Sequence, residues 1–145
     1  MQRDLDAIGP REVLYVEDHP TNVSLMQALF KRRPHLDLVV AMDGREALRL
    51  APQLQPSLLL LDLRLPDCHG AALLAQLRQF DGWAGIAAVA VTAEPDFEFA
   101  HSGFCELWGK PLDLAFVLGR LDHLTSQPLP EALQRAGRVL HSQAG

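Results

Sequence analysis

Five side chains able to do chemistry stand where short apolar runs stop. Glu17 and Asp18 follow V-L-Y-V, Asp62 follows L-L-L-L, Thr92 follows A-V-A-V, and Lys110 follows E-L-W-G. Three carboxylates brought to one place repel each other, and burial makes the repulsion worse. Lys110 can neutralise one of them, and a divalent cation is the natural remedy for the rest. An all-oxygen donor set favours Mg²⁺, Mn²⁺ or Ca²⁺ over zinc. Mg²⁺ in particular is held by one or two carboxylates completed by water and phosphate oxygens. With its charge offset in this way, Asp62 can act as a nucleophile toward phosphorus. Taken singly, the same residues have plainer readings. Asp62 is a helix cap or loop acid, Glu17-Asp18 is a pair of acids favoured by a helix N-terminus, Thr92 is a strand-end hydroxyl and Lys110 a surface charge. Their joint occurrence at strand ends is what points to a site.

The elements that must bring them together are legible as alternating runs. Strands are expected over 12–16, 36–41, 58–61, 86–91 and 105–108. The third and fourth are apolar at consecutive positions, as in strands covered on both faces. Between them come helical patterns. Pro20 stands in the first turn of one that carries Leu25, Met26, Leu29 and Phe30 and ends at Arg33-Pro34. Asp43 and Glu46 read as a capping box for the next, with Ala47, Leu48, Ala51 and Leu54 on its apolar face and Pro52 ending it early. Leu73, Leu74, Leu77 and Phe80 mark a third, and Leu114, Val117, Leu118 and Leu121 mark the helix after the last strand. Strand and helix alternating five times predict an α/β doubly wound domain with a five-stranded parallel sheet. In such sheets sites form beyond the carboxyl ends of the strands, where all five residues fall.

The chain has 145 residues, 48% of them hydrophobic and 21% charged, enough for one domain with a core. Residues 1–10 read as an N-terminal linker and 11–126 as the domain; 127–145, with Leu129, Ala132, Leu133, Ala136 and Leu140 at helical spacing, read as a C-terminal helical extension or linker. The net charge of −5 and the lack of a basic block speak against direct nucleic-acid binding within this chain, and residues 127–145 are too few for a DNA-reading domain. No apolar run is long enough to span a bilayer. The acidic N-terminus lacks a signal-peptide core, which makes a cytoplasmic location the expectation. The two cysteines, Cys68 and Cys105, are expected to be reduced thiols, and no Cys/His spacing suggests zinc.

The pieces V-L-Y-V-E-D-H-P-T-N, L-L-L-L-D-L-R-L-P-D-C-H-G, V-A-V-T-A and W-G-K-P-L-D, in this order, resemble the receiver domain of two-component response regulators over about residues 11–125. The E-D-H-P-T-N version is similar to receivers attached to hybrid sensor kinases. The resemblance implies a flavodoxin-like receiver fold and a phosphoacceptor role for Asp62, with the phosphoryl group coming from a phosphohistidine on a sensor histidine kinase or a phosphotransfer domain. It implies Mg²⁺, with Mn²⁺ as a substitute, ligated by Asp18, Asp62 and the main-chain carbonyl of Arg64, with Glu17 acting through water. Thr92 and Lys110 would each pair with a phosphoryl oxygen, Ala93 would leave room for the group, and Lys110-Pro111 would be a cis peptide. The Arg64 side chain is expected either in solvent or paired with Glu94; His19 and His69 are expected to be loop residues.

Two departures stand out. Leu107 occupies the place where such domains carry a switching Tyr or Phe, and strand alternation puts Trp108 on the opposite face. The segment from Thr92 to Lys110 is short by roughly one helical turn of about 3.6 residues, which predicts a shortened, distorted or mobile fourth helix. The expected function is a phosphoacceptor switch in a two-component or phosphorelay system, a possible homodimer, not an enzyme beyond slow self-dephosphorylation. The alternative is a pseudo-receiver, acting only as a docking or dimerisation module. An aspartyl-nucleophile phosphatase would need a second acid two residues after Asp62, where Arg64 stands.

Overall fold

The computed structural model describes residues 11–94 and 97–126. The expected linker over 1–10 and the C-terminal extension over 127–145 lie outside the described residues. Five strands form one parallel sheet: β1 (Arg11–Val16), β2 (Leu36–Ala41), β3 (Pro56–Asp62), β4 (Ala87–Thr92) and β5 (Glu106–Gly109), in the order β2-β1-β3-β4-β5. Four helices accompany them: α1 (Pro20–Phe30), α2 (Gly44–Leu50), α3 (Gly70–Leu77) and α4 (Leu114–Thr125). None of these described helices is long and apolar enough to cross a membrane.

The strands divide their side chains between two cores, as alternation requires. Leu59 and Leu61 join the core under α2 and α3 with Leu73, Leu74 and Leu77. Leu58 and Leu60 join the core under α1 and α4 with Met26, Val117 and Leu121. All four leucines of β3 are fully buried, each stabilising the fold by roughly 1.5–3 kcal/mol relative to exposure. This double burial is the reason for the unbroken leucine run.

The helices follow the sequence with small corrections. In α1 the buried positions are Val23, Met26, Leu29 and Phe30, and Leu25, 37% exposed, lies outside that stripe. α2 stops at Leu50 and continues as a single 3₁₀ turn over Ala51–Gln53, where Pro52 interrupts the ladder. Its capping box is modified: Asp43 accepts from the Glu46 N–H at 2.7 Å, while Glu46 accepts from the Met42 N–H, one residue earlier than the usual partner.

The largest difference lies between β4 and β5. A shortened helix was the expectation, but residues 93–94 and 97–104, as described, contain none. His101 and Gly103 hold φ of +62° and +92°, the left-handed region that a right-handed helix cannot accommodate. Phe104 is buried and Phe97 packs against the same core, so two rings cover the sheet where a helix would otherwise lie. On β5, Trp108 is buried against the α1–α4 core while Leu107, on the opposite face, is 40% exposed.

Candidate functional site

Strand register sets the site. Val16 pairs with Leu61, so Glu17 and Asp62 leave the sheet side by side. Asp62 in turn pairs with Val91, one residue before Thr92, and Thr92 pairs with Gly109, one residue before Lys110. The backbone ties this rim together: the Glu17 N–H donates to the Ala41 carbonyl at 3.0 Å, and the Lys110 N–H to that of Thr92 at 2.9 Å. The Lys110–Pro111 peptide is cis.

Glu17, Asp18 and Asp62 each offer a carboxylate oxygen, and these lie within 4.8 Å of one another. Lys110 Nζ is shared between two of them, 2.8 Å from Glu17 Oε1 and 3.1 Å from Asp62 Oδ2. Three carboxylates against one ammonium leave an excess of negative charge at a rim where Glu17 is wholly buried and Asp62 nearly so. Asp18 Oδ1 is buried without a hydrogen-bond partner. An orphaned carboxylate oxygen costs about 1–3 kcal/mol or more unless something positive meets it. That oxygen, the oxygen-only donor set and the uncompensated charge together suit a hard divalent cation.

The three central groups titrate differently, for identifiable reasons. Burial pushes the Asp62 carboxyl up, and the Glu17 charge adds to it; Lys110 and the Arg64 N–H, which donates at 3.2 Å, only partly offset this. Burial also acts on Glu17, but the Lys110 hydrogen bond and charge outweigh it, helped by the His19 N–H at 3.2 Å and the Tyr15 hydroxyl at 3.1 Å. Glu17 therefore sits below the ordinary carboxylate range. Burial would lower Lys110, yet its two carboxylates hold it above the usual lysine value, so the amine stays charged. The result is an Asp62 carboxyl raised by burial and by Glu17 beside a lysine raised by its two carboxylates.

Thr92 is buried, and its Oγ1 accepts from the Glu94 N–H at 2.9 Å. The hydroxyl proton is not used in that bond. Ala93 is exposed. Of the two placements open to the Arg64 side chain, the structure takes the pair: Nε lies 3.1 Å from Glu94 Oε1. His69 also reaches Glu94, at 3.5 Å, while its Nδ1 accepts from the Ala71 N–H as the cap of α3. His19 is exposed and contributes its main-chain N–H.

Three further residues shape the site and escape a reading of local sequence. Tyr15 stands two residues before Glu17, hence on the same strand face; this spacing and a lone aromatic among aliphatics were the available signal. Asp67 accepts from the Gly44 and Arg45 N–H groups, both at 2.9 Å, capping α2 from a loop more than twenty residues away. No local pattern announces that. Gly70 lies so close to the end of β3 that an added β-carbon would be 2.4 Å from the Asp62 carbonyl oxygen. Its N–H donates to the Leu63 carbonyl at 2.7 Å.

Comparison with known proteins agrees with this geometry. Residues 13–106 match the family model described as the response regulator receiver domain. The polar-differentiation response regulator DivK of Brucella anthropi is 32% identical over 109 residues, 72% of this chain and 88% of that protein. A protein-glutamate methylesterase/protein-glutamine glutaminase of Myxococcus xanthus is 34% identical over 108 residues, but the match spans 70% of this chain and only 30% of that longer protein. Among solved structures, the receiver domain of a Pseudomonas aeruginosa PAO1 sensor histidine kinase, which holds a magnesium ion in its active-site cleft, superposes with a TM-score of 0.72. It covers 82% of this chain and 100% of its own length at 24% identity, a likeness of fold.

Proposed function

The chain belongs to the response regulator receiver domain family, and we propose that it works as a phosphoacceptor, taking a phosphoryl group from a phosphohistidine of a sensor histidine kinase or phosphotransfer domain onto Asp62. The observation that carries this is the sharing of Lys110 between Glu17 and Asp62 beside a carboxylate oxygen of Asp18 that has no partner. An Asp62 carboxylate oxygen forms the new bond to phosphorus as the bond from phosphorus to the donor's imidazole nitrogen breaks. Such transfers depend on alignment and charge stabilisation more than on covalent help from the protein. Lys110 offsets charge on one phosphoryl oxygen. The Thr92 hydroxyl, already accepting from Glu94, keeps its proton to donate to another. Ala93 adds no bulk over the site.

Mg²⁺, or Mn²⁺ in its place, would be held by Asp18, Asp62, Glu17 and the Arg64 main-chain carbonyl, and when bound would supply positive charge against the phosphoryl oxygens. The surplus negative charge and the unpartnered Asp18 oxygen support this set. Beyond slow loss of the phosphoryl group to water the domain has no turnover, and its output is a change in protein contacts. A second reading, a docking or dimerisation module without phosphotransfer, is favoured by the exposed Leu107 where a switching aromatic is expected.

The separating experiment is calorimetric titration with Mg²⁺ followed by beryllofluoride, a phosphoryl mimic. Saturation by Mg²⁺ at millimolar concentration and beryllofluoride binding that Asp62→Ala abolishes are expected. Absence of binding, or binding that survives the substitution, would defeat the phosphoacceptor reading and leave the docking one.

A further inference from the structure

β1 is an interior strand, between β2 and β3, and its buried residues Val13, Leu14 and Val16 are aliphatic. Tyr15 breaks that composition. It is fully buried, in register with Val40 on one side and Leu60 on the other, and packs in the core beneath α1 and α4. A Phe or Leu would fill such a place. The hydroxyl is the part that needs a reason, because a buried hydroxyl is costly unless it is bonded. It donates to Glu17 Oε1 at 3.1 Å, the same oxygen that accepts Lys110 Nζ at 2.8 Å. Glu17 Oε2 accepts from the His19 N–H at 3.2 Å. The carboxylate is thus held at three points: from the core by Tyr15, from the loop by His19 and from β5 by Lys110.

We propose that Tyr15 is a positioning residue of the acidic site, whose hydroxyl pins the Glu17 carboxylate and leaves Lys110 shared with Asp62. The electrostatic reasoning is direct. An oxygen that already accepts one hydrogen bond carries less charge to attract a second donor. Lys110 is therefore not captured by Glu17 alone and keeps its 3.1 Å contact with Asp62 Oδ2. Without the hydroxyl, Oε1 has only the ammonium to satisfy it, so the pair tightens, the carboxylate turns, and Lys110 withdraws from Asp62. Both changes act on the groups assigned to the cation and to the phosphoryl group. The inference rests on the phosphoacceptor reading for its consequence, but the hydrogen-bond arrangement itself belongs to the metal-free chain.

The test uses the full chain with Tyr15→Phe, Glu17→Gln and the double variant. Folding is checked by circular dichroism, since Tyr15→Phe keeps the ring. Partners in the outer shell of a metal site typically change affinity by about 10–100-fold. Tyr15→Phe should accordingly weaken Mg²⁺ binding by about tenfold in the native background. It should change binding by less than about twofold when Glu17→Gln is already present, because residues acting through one another are not additive. In chelator, without metal, the carboxyl ¹³C resonances of both Glu17 and Asp62 should move in Tyr15→Phe. Unchanged Mg²⁺ affinity, equal weakening in both backgrounds, or carboxyl resonances that stay in place would each overturn the assignment. If native chain shows no Mg²⁺ binding, the phosphoacceptor reading falls, and the metal-free resonances alone decide the role of Tyr15. If Tyr15→Phe does not fold, the unsubstituted chain decides: a slowly exchanging Tyr15 hydroxyl proton close to Glu17 supports the assignment, and its absence overturns it.

Discussion

The two segments bordering the acidic cluster differ in what holds them. The loop after β3 is fastened by polar geometry. Leu65 donates to the Cys68 carbonyl at 3.2 Å, Gly70 to that of Leu63 at 2.7 Å, Asp67 caps α2 and His69 caps α3. The connection from β4 to β5 adds apolar bulk to its polar ties. Phe104 is buried, its ring is 6.1 Å from that of Phe97, and Phe97 stacks on His69 at 5.9 Å. Its polar ties run from Glu94, held by Arg64, His69 and Thr92, to the Cys105 N–H on the Ala88 carbonyl at 2.8 Å. Between these ends the Ser102 N–H donates to the Phe99 carbonyl at 3.1 Å, and Arg78 to the Gly103 carbonyl at 3.2 Å. Hydrogen bonds fix direction, whereas apolar contact is non-directional. Around Asp62 hydrogen bonds set the direction of the backbone; between β4 and β5 two rings add non-directional bulk to the polar ties.

The contrast can be broken experimentally. The largest effect is expected from Phe104→Ala, which empties the anchor of the connection and should cost about 3 kcal/mol in urea unfolding; a loss below about 1 kcal/mol would mean the ring is not what holds the segment. Gly70→Ala forces a β-carbon against the Asp62 carbonyl and should cost about 2 kcal/mol, read the same way. If it is silent, the β3 loop is not rigid. Asp67→Ala removes a cap and should cost about 1 kcal/mol at neutral pH. The Gly44 N–H holds the Asp67 carboxyl below the ordinary range. Its contribution is thus complete above the ordinary carboxylate value of about 3.9 and fades as pH falls through the lower folded value. Native and variant stabilities should converge as pH falls below the ordinary carboxylate range; a gap that persists in acid would assign the effect to packing.

Much of the frame was legible in the chain. Leu36 to Ala41 was read as a strand to the residue, and the leucine run announced a strand covered on both faces. Pro52 ended α2 as expected. The reading went wrong where local pattern underdetermines the outcome. Leu25 fits an apolar helix face as well as Val23 does until the direction of the sheet is known. Phe97, Phe99 and Phe104 gave a weak period because two of them serve as separate anchors rather than as one face of a helix. Phe99 remains 39% exposed.

Sequence alone determined that three acids, a hydroxyl and an amine would stand at the carboxyl edge of a parallel sheet, because strand ends are marked by short-range changes in polarity. Tertiary structure decided which of them touch. Lys110 meets Glu17 across 93 positions of chain, Asp67 caps a helix formed 23 residues earlier, and Arg64 pairs with Glu94 across 30. Contacts of this kind depend on tenths of an ångström, and only the packing of distant elements against one another sets distances that finely.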